Sequence, residues 1–108
     1  MDALEDNQNP NSSIEVTDAI FQGLSETAVT TMLAQNFHWN VTGMAFAPLH
    51  QLFQDIYEDH FDAQDSLAER TRALGSFVDG SLASMISKSK IKECSERLTD
   101  KEMIKEML

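Results

Sequence analysis

The sequence has little of several features that define common protein classes. Its 108 residues include one cysteine, Cys94, together with two prolines and four glycines. A single cysteine excludes an intrachain disulfide framework and a cysteine-rich zinc site, and it is typical of a reducing compartment. No apolar run approaches the roughly 18 residues of a membrane span, and the acidic first residues do not resemble a secretory signal. We therefore expect a cytoplasmic domain without membrane association.

Basic residues are absent from the first part of the chain. Arg70 is the first lysine or arginine, and twelve aspartates and glutamates precede it. From Arg70 onward, eight basic residues accompany six acidic ones, and the formal net charge is −10. All three histidines, His38, His50 and His60, lie in the acidic part. Nucleic-acid binding depends on basic residues that neutralise phosphates, so this distribution disfavours direct DNA binding and favours a protein that attracts cations.

The apolar pattern predicts an all-α protein. Residues 1–13 have no periodicity and are expected to form a flexible acidic tail, and residues 14–108 to form one helical domain. Apolar residues at helical spacing predict a first helix over about 15–41. A second helix is expected over about 48–74, with a proline at its first position and Gly75 at its end.

The last third of the chain is expected to begin with a long connector that contains a short helix near residues 82–86. Thr99 and Glu102 then form a capping-box pattern that opens a third long helix. The sequence carries this helix for barely two turns, which is too short for stability on its own. We therefore expect a helical bundle that is truncated within its third long helix.

The second predicted helix concentrates polar residues on one side. At 100° per residue, one arc of about 120° collects a histidine, a glutamine and four carboxylates. These residues are His50, Gln54, Glu58, Asp62, Asp65 and Glu69. Asp65 and Glu69 stand four residues apart, a spacing suited to two oxygen ligands on one metal ion. A solvated acidic face is the simpler interpretation, but histidine is the commonest metal ligand and favours a metal site.

His50 and Asp65 are too far apart on one helix to share an ion. Fifteen residues separate them, or about 22 Å along the helix axis. Two antiparallel copies of the helix would bring His50 of one copy to Asp65 of the other if a two-fold axis passed between Tyr57 and Glu58. Such pairing would create two identical sites, each built from both chains.

Several segments together resemble the Dps family of ferritin-like mini-ferritins. The first is Asn-Phe-His-Trp-Asn-Val-Thr-Gly over residues 36–43, and it is followed by Phe46 and Leu49-His50. The last runs from Asp65 through Ala68-Glu69-Arg70-Thr71-Arg72-Ala73-Leu74-Gly75. The similarity covers roughly residues 15–108 in order and spacing.

The resemblance implies a four-helix-bundle subunit, a hollow dodecameric shell, and sites at two-fold dimer interfaces that oxidise Fe(II) with hydrogen peroxide or oxygen. The ferric product would be stored in the cage, which would protect against oxidative damage. In each site, His38 and His50 would come from one subunit and Asp65 and Glu69 from its neighbour. Trp39 would either lie beside the site and take up oxidising equivalents or serve as a core aromatic residue.

The sequence departs from the family pattern at three points. Gln54 stands where the family usually has an aspartate, and an amide is a weaker ligand than a carboxylate for a hard cation; Glu58 is a nearby residue that could contribute instead. The N-terminal tail has no basic residue, and the chain ends before the rest of the bundle. The alternative function is therefore a non-catalytic helical assembly module with an impaired metal site.

Overall fold

The computed structural model describes residues 10–108, and the side chains of residues 14–108. Within this range the chain forms helices and no β-strand, which confirms the all-α prediction. The helices in chain order are α1 (Pro10–Asn40), α2 (Phe46–Ala73), α3 (Leu82–Lys88) and α4 (Asp100–Met107). The two long helices dominate the shape, which measures 59 × 21 × 20 Å along its principal axes.

Both long helices begin earlier than the sequence pattern predicts. Helix α1 begins at Pro10 rather than near residue 15, so the last residues of the expected tail are helical; residues 1–9 lie outside the described part. Helix α2 begins at Phe46, and Pro48 is therefore its third residue rather than its first. The physical reason is that first-turn N–H groups have no partner within a helix, so proline is tolerated throughout that turn.

The end of α2 was predicted correctly. Gly75 has a φ of 88°, which a residue with a Cβ adopts only with strain. The Gly75 N–H donates to the Arg72 carbonyl at 3.0 Å and the Ser76 N–H donates to the Thr71 carbonyl at 3.2 Å. This pair of bonds is the Schellman arrangement, which satisfies carbonyls that the last helical turn leaves free.

Helices α1 and α2 form an antiparallel hairpin joined by residues 41–45. Its core lies at the closed end, where side chains of both helices are almost completely buried with Val41 of the connection and one residue of α4. The Phe37 and Phe53 rings meet at a centroid distance of 5.7 Å with a 58° tilt, an arrangement that aromatic pairs prefer. The buried members of this core are Leu33, Phe37, Val41, Leu49, Phe53 and Met103.

Helix α3 and the connector lie along α1. The Lys88 ammonium contacts the Asp18 carboxylate at 2.6 Å, and the Gln22 amide donates to the Lys88 carbonyl at 2.9 Å. Further along, the Asn36 amide donates to the Cys94 carbonyl at 3.0 Å. The connector is therefore fixed to α1 by side-chain bonds, and it leaves the polar side of α2 open.

Helix α4 has the capping box that the sequence predicts. The Glu102 N–H donates to the Thr99 hydroxyl at 3.3 Å, and the Thr99 N–H donates to the Glu102 carboxylate at 2.9 Å. Met103 anchors the helix in the core with only 2% of its surface exposed. A helix this short depends on that tertiary contact and its cap for stability.

Candidate metal centre

His38 and His50 face each other across the α1–α2 hairpin. His38 lies in the last turn of α1 and His50 in the second turn of α2, and the short connection brings these turns side by side. Their imidazole rings stack at a centroid distance of 3.7 Å with an angle of 20° between the ring planes. His38 is 9% exposed and His50 is half-buried. The structure thus brings together the two histidines that the sequence analysis selected as ligands.

Reciprocal hydrogen bonds fix both imidazole rings. The Nδ1 of His38 lies 2.7 Å from the His50 carbonyl oxygen, and the Nδ1 of His50 lies 2.8 Å from the His38 carbonyl oxygen. A carbonyl oxygen only accepts, so each Nδ1 must carry the proton and donate it. In a neutral imidazole the lone pair then belongs to Nε2. Both rings are therefore in the tautomer that a metal-binding histidine needs when it coordinates through Nε2.

Two further rings flank the histidine pair. The Phe46 ring stacks on His50 at 5.0 Å with an interplanar angle of 20°, and the Tyr57 ring contacts His38 edge-on at 5.3 Å and 75°. The sequence analysis gave neither residue a place in the site. Their spacing could have shown it, because positions four before and seven after His50 lie on the same face of a helix.

The predicted carboxylate ligands lie elsewhere on α2. Asp65 and Glu69 are both exposed, and about 22 Å of helix separates Asp65 from His50. Among the described residues, no group of three or more His, Cys, Asp or Glu side chains is placed to hold a metal ion. One chain therefore brings together two of the four predicted ligands and presents the other two on its surface.

Gln54 lies one turn beyond His50 and forms a hydrogen bond with an acidic side chain. Its amide Nε2 donates to the Glu58 carboxylate at 2.7 Å. This contact aligns the two accessory residues of the predicted site with each other along α2. It also removes one acceptor position of the Glu58 carboxylate from use by an ion.

The candidate Trp39 and the third histidine, His60, have simpler surroundings. Trp39 is 62% exposed, so it is not a core residue of the single chain. It lines a cavity of about 230 Å³ that also contains Met32 and Cys94. His60 donates from Nδ1 to the Ile56 carbonyl at 2.9 Å within its own helix.

In the described part of the chain, no helix has the length and apolar character needed to cross a membrane.

Comparison with known proteins defines the class to which this fold belongs. The chain matches the family model of the ferritin-like domain over residues 18–108. The Dps structure from Vibrio cholerae, described as a member of a superfamily of ferritin-like diiron-carboxylate proteins, superposes with a TM-score of 0.84 at 27% identity. That superposition covers 90% of this chain and 61% of the other. The molecule is thus a ferritin-like helical protein.

More specific relatives narrow this class. The DNA protection during starvation protein of Helicobacter pylori is 35% identical over 85 residues, which are 78% of this chain and 59% of that protein. The crystal structure of Dps from Staphylococcus aureus has a TM-score of 0.82 at 31% identity and covers 84% of this chain and 61% of that chain. The chain belongs to the Dps family. It spans about half the length of the curated relatives it matches.

Proposed function

We propose that this protein binds Fe(II) as a substrate at sites shared between two copies and oxidises it. The ferric product is stored in an oligomeric cage, which we propose to be the dodecamer that the resemblance to the Dps family implies. The observation that carries the proposal is the reciprocal bonding of His38 and His50, which leaves both Nε2 lone pairs available. The acidic surface around the pair favours cations of any kind, whereas two preset imidazole ligands favour a transition metal.

The ring geometry supports two iron positions in each site. A metal bound to imidazole lies close to the ring plane, and the His38 and His50 planes are nearly parallel. It is therefore easier for each ring to direct its Nε2 lone pair to a separate ion than for the two rings to share one ion. Two Fe(II) ions together supply the two electrons that one hydrogen peroxide accepts, with two protons, as it is reduced to two water molecules.

A second copy is proposed to complete the ligand set. If two α2 helices pair antiparallel about an axis between Tyr57 and Glu58, Asp65 of the second copy lies opposite His50. The same register places Glu69 of that copy opposite Phe46, one turn from His50. The two carboxylates would then neutralise the charge of bound iron and stabilise the ferric state more than the ferrous state.

Exposed apolar residues beside the acidic stripe support pairing with a second copy. Met32, Phe61 and Leu82 are 47%, 64% and 69% exposed, and they line one groove of about 560 Å³. Tyr57 and Glu58, the residues beside the proposed axis, line the same groove. A two-fold interface presents the same patch from both subunits, so a groove next to the axis is covered by its own copy.

Complementation between two inactive variants tests the shared site. We expect His38→Ala and Glu69→Ala each to slow peroxide-driven oxidation of Fe(II) at least about tenfold, followed as ferric absorbance after anaerobic loading. A mixed dimer of the two variants has one site with both mutations and one site with neither. Random mixing should therefore restore about a quarter of the sites. A mixture no more active than its components would contradict a shared site.

Two matched substitutions serve as controls. His60→Ala removes a histidine that bonds only within α2, and Glu106→Ala removes an exposed carboxylate of α4. Both variants should oxidise iron at the parent rate. If they slow the reaction as much as the site variants do, the assigned ligands are wrong.

The second candidate function is a non-catalytic assembly module of the same fold. Gln54 favours it, because an amide replaces an acid one turn from His50 and also engages Glu58. This reading predicts a defined oligomer by light scattering with no iron oxidation above the buffer rate. Neither proposal includes direct DNA binding or a membrane location, and a cytoplasmic location remains a prediction. A gel-shift experiment at physiological salt should show no complex between the protein and DNA.

A further inference from the structure

We infer that Phe46 and Tyr57 are positioning residues of the metal centre, which hold the His38–His50 pair in its metal-ready tautomer and orientation. These four side chains form a continuous aromatic stack in the order Phe46, His50, His38, Tyr57. The stack spans both long helices and runs through the last turn of α1 and the first three turns of α2. We call it the aromatic clamp.

The need for a clamp follows from the freedom of a histidine ring. The torsion that rotates an imidazole about its bond to Cβ is broad and roughly two-fold. Rotation by half a turn would move Nδ1 away from the opposite carbonyl and break one of the reciprocal bonds. A neighbouring ring in contact with each histidine, Phe46 with His50 and Tyr57 with His38, opposes this rotation, because the imidazole would have to sweep through the volume of that neighbour.

Phe46 and Tyr57 act on different members of the pair. The Phe46 ring lies nearly parallel to His50 at a centroid distance of 5.0 Å. Tyr57 meets His38 edge-on at 5.3 Å, in the T-shaped contact that aromatic rings prefer. Phe46 is 44% exposed, so the simple burial of an apolar side chain does not account for its place in the stack.

The clamp itself is tested without metal. Raman bands of isotope-labelled histidine report which ring nitrogen carries the proton, and a His60→Gln background limits the signal to the pair. We expect the Nδ1–H form for both rings in the parent and in Tyr57→Phe, which keeps the ring. Phe46→Leu and Tyr57→Leu should each populate the Nε2–H form, whereas Phe77→Leu, which removes an exposed ring outside both the clamp and the proposed interface, should not. Unchanged tautomers in both clamp variants would overturn the inference.

The role of the clamp in metal binding rests on the proposed function and is tested separately. Co(II) binding to the full chain, followed by its visible absorption, requires no oxidation chemistry. We expect Phe46→Leu and Tyr57→Leu to raise the Kd for Co(II) about tenfold, the usual scale for groups that orient metal ligands. Phe77→Leu and Tyr57→Phe should leave it unchanged. Equal Kd values for clamp and control variants would overturn this role. A parent that fails to bind Co(II) would overturn the proposed function, whereas the tautomer measurement would still decide whether the clamp exists.

Discussion

Gln54 donates an amide hydrogen to the carboxylate of Glu58, one turn further along α2, at 2.7 Å. Gln54 also lies one turn beyond His50, at the position where the Dps pattern usually has an aspartate. An acid at this position would add negative charge beside the histidine pair, and the amide adds none. The residue that departs from the family pattern is therefore bonded to Glu58, the other accessory residue of the predicted site on α2.

Gln54→Asp should increase the rate of iron oxidation by about tenfold, because a carboxylate is a stronger ligand than an amide for a hard cation. The rate is measured as ferric absorbance after peroxide is added to protein loaded with Fe(II). Gln51→Asp is the matched control, since Gln51 also donates to an acid four residues later, Asp55, at 2.8 Å. Gln51 is rotated by about 60° from Gln54 around the helix. An equal gain in both variants would attribute the effect to net charge and not to this position.

His38→Ala should lower the free energy of unfolding of the metal-free protein by about 1–3 kcal/mol. The substitution removes a buried hydrogen bond to the His50 carbonyl and the stacking of a buried ring on the His50 imidazole. Denaturant titration measures the change. His60→Ala is the control, because half-exposed His60 contacts only the Ile56 carbonyl and the Asp59 carboxylate of its own helix. This variant should lose clearly less stability than His38→Ala. Equal losses would show that the reciprocal bonds add no stability.

Gly43→Ala should destabilise the fold by about 1–2 kcal/mol, because Gly43 has a φ of 100° that is unfavourable for any residue with a Cβ. An added Cβ would also lie 3.0 Å from the Asp100 carboxylate oxygen at the start of α4. Gly80→Ala meets no atom within 4 Å and should change the stability by less than about 0.5 kcal/mol. Thermal or chemical unfolding of the two variants compares them directly, and a harmless Gly43→Ala would contradict the loop geometry.

Acid should weaken the cap of α4 through Glu102. Hydrogen bonds from the backbone N–H and the side chain of Thr99 lower the pKa of Glu102 below its ordinary value of 4.5. A group whose pKa is lower in the folded state contributes stability that is fully present above its unfolded pKa and is lost as the pH falls through the folded pKa. We therefore expect the melting temperature to depend on this group only below about pH 4.5.

The variant Glu102→Gln tests this pH dependence. Glutamine keeps an acceptor for the Thr99 N–H but does not titrate, so the melting temperature of the variant should fall less steeply with acid than that of the parent. Glu106→Gln, an exposed position of the same helix, should retain the parent slope. If the melting temperatures of the parent and of Glu102→Gln fall equally steeply with acid, the pH dependence does not come from Glu102.

The sequence predicted most of the secondary structure, and the errors have local causes. The end of α2 at Gly75 and the capping box at Thr99 are confirmed, because both depend on the chemistry of a few adjacent residues. The starts of α1 and α2 were placed too late, since neither Pro10 nor Pro48 prevents a first helical turn.

The site was predictable as a set of residue types but not as a geometry. His50 stood out as a member of the acidic stripe of α2, whereas His38 was selected through the resemblance to the Dps family. The aromatic clamp was missed, although helical spacing places Phe46 and Tyr57 on the same face of α2 as His50. That spacing does not show which imidazole ring each of them contacts, Phe46 on His50 and Tyr57 on His38.

By itself the sequence determined the helices and the acidic stripe of α2, because the 3.6-residue period and capping chemistry act within a few residues of the chain. Only the tertiary structure decided the tautomers of His38 and His50. Each ring is fixed by a carbonyl on the other helix, twelve residues away along the chain. That arrangement exists only once the hairpin has closed and its core has packed, so no local pattern specifies it.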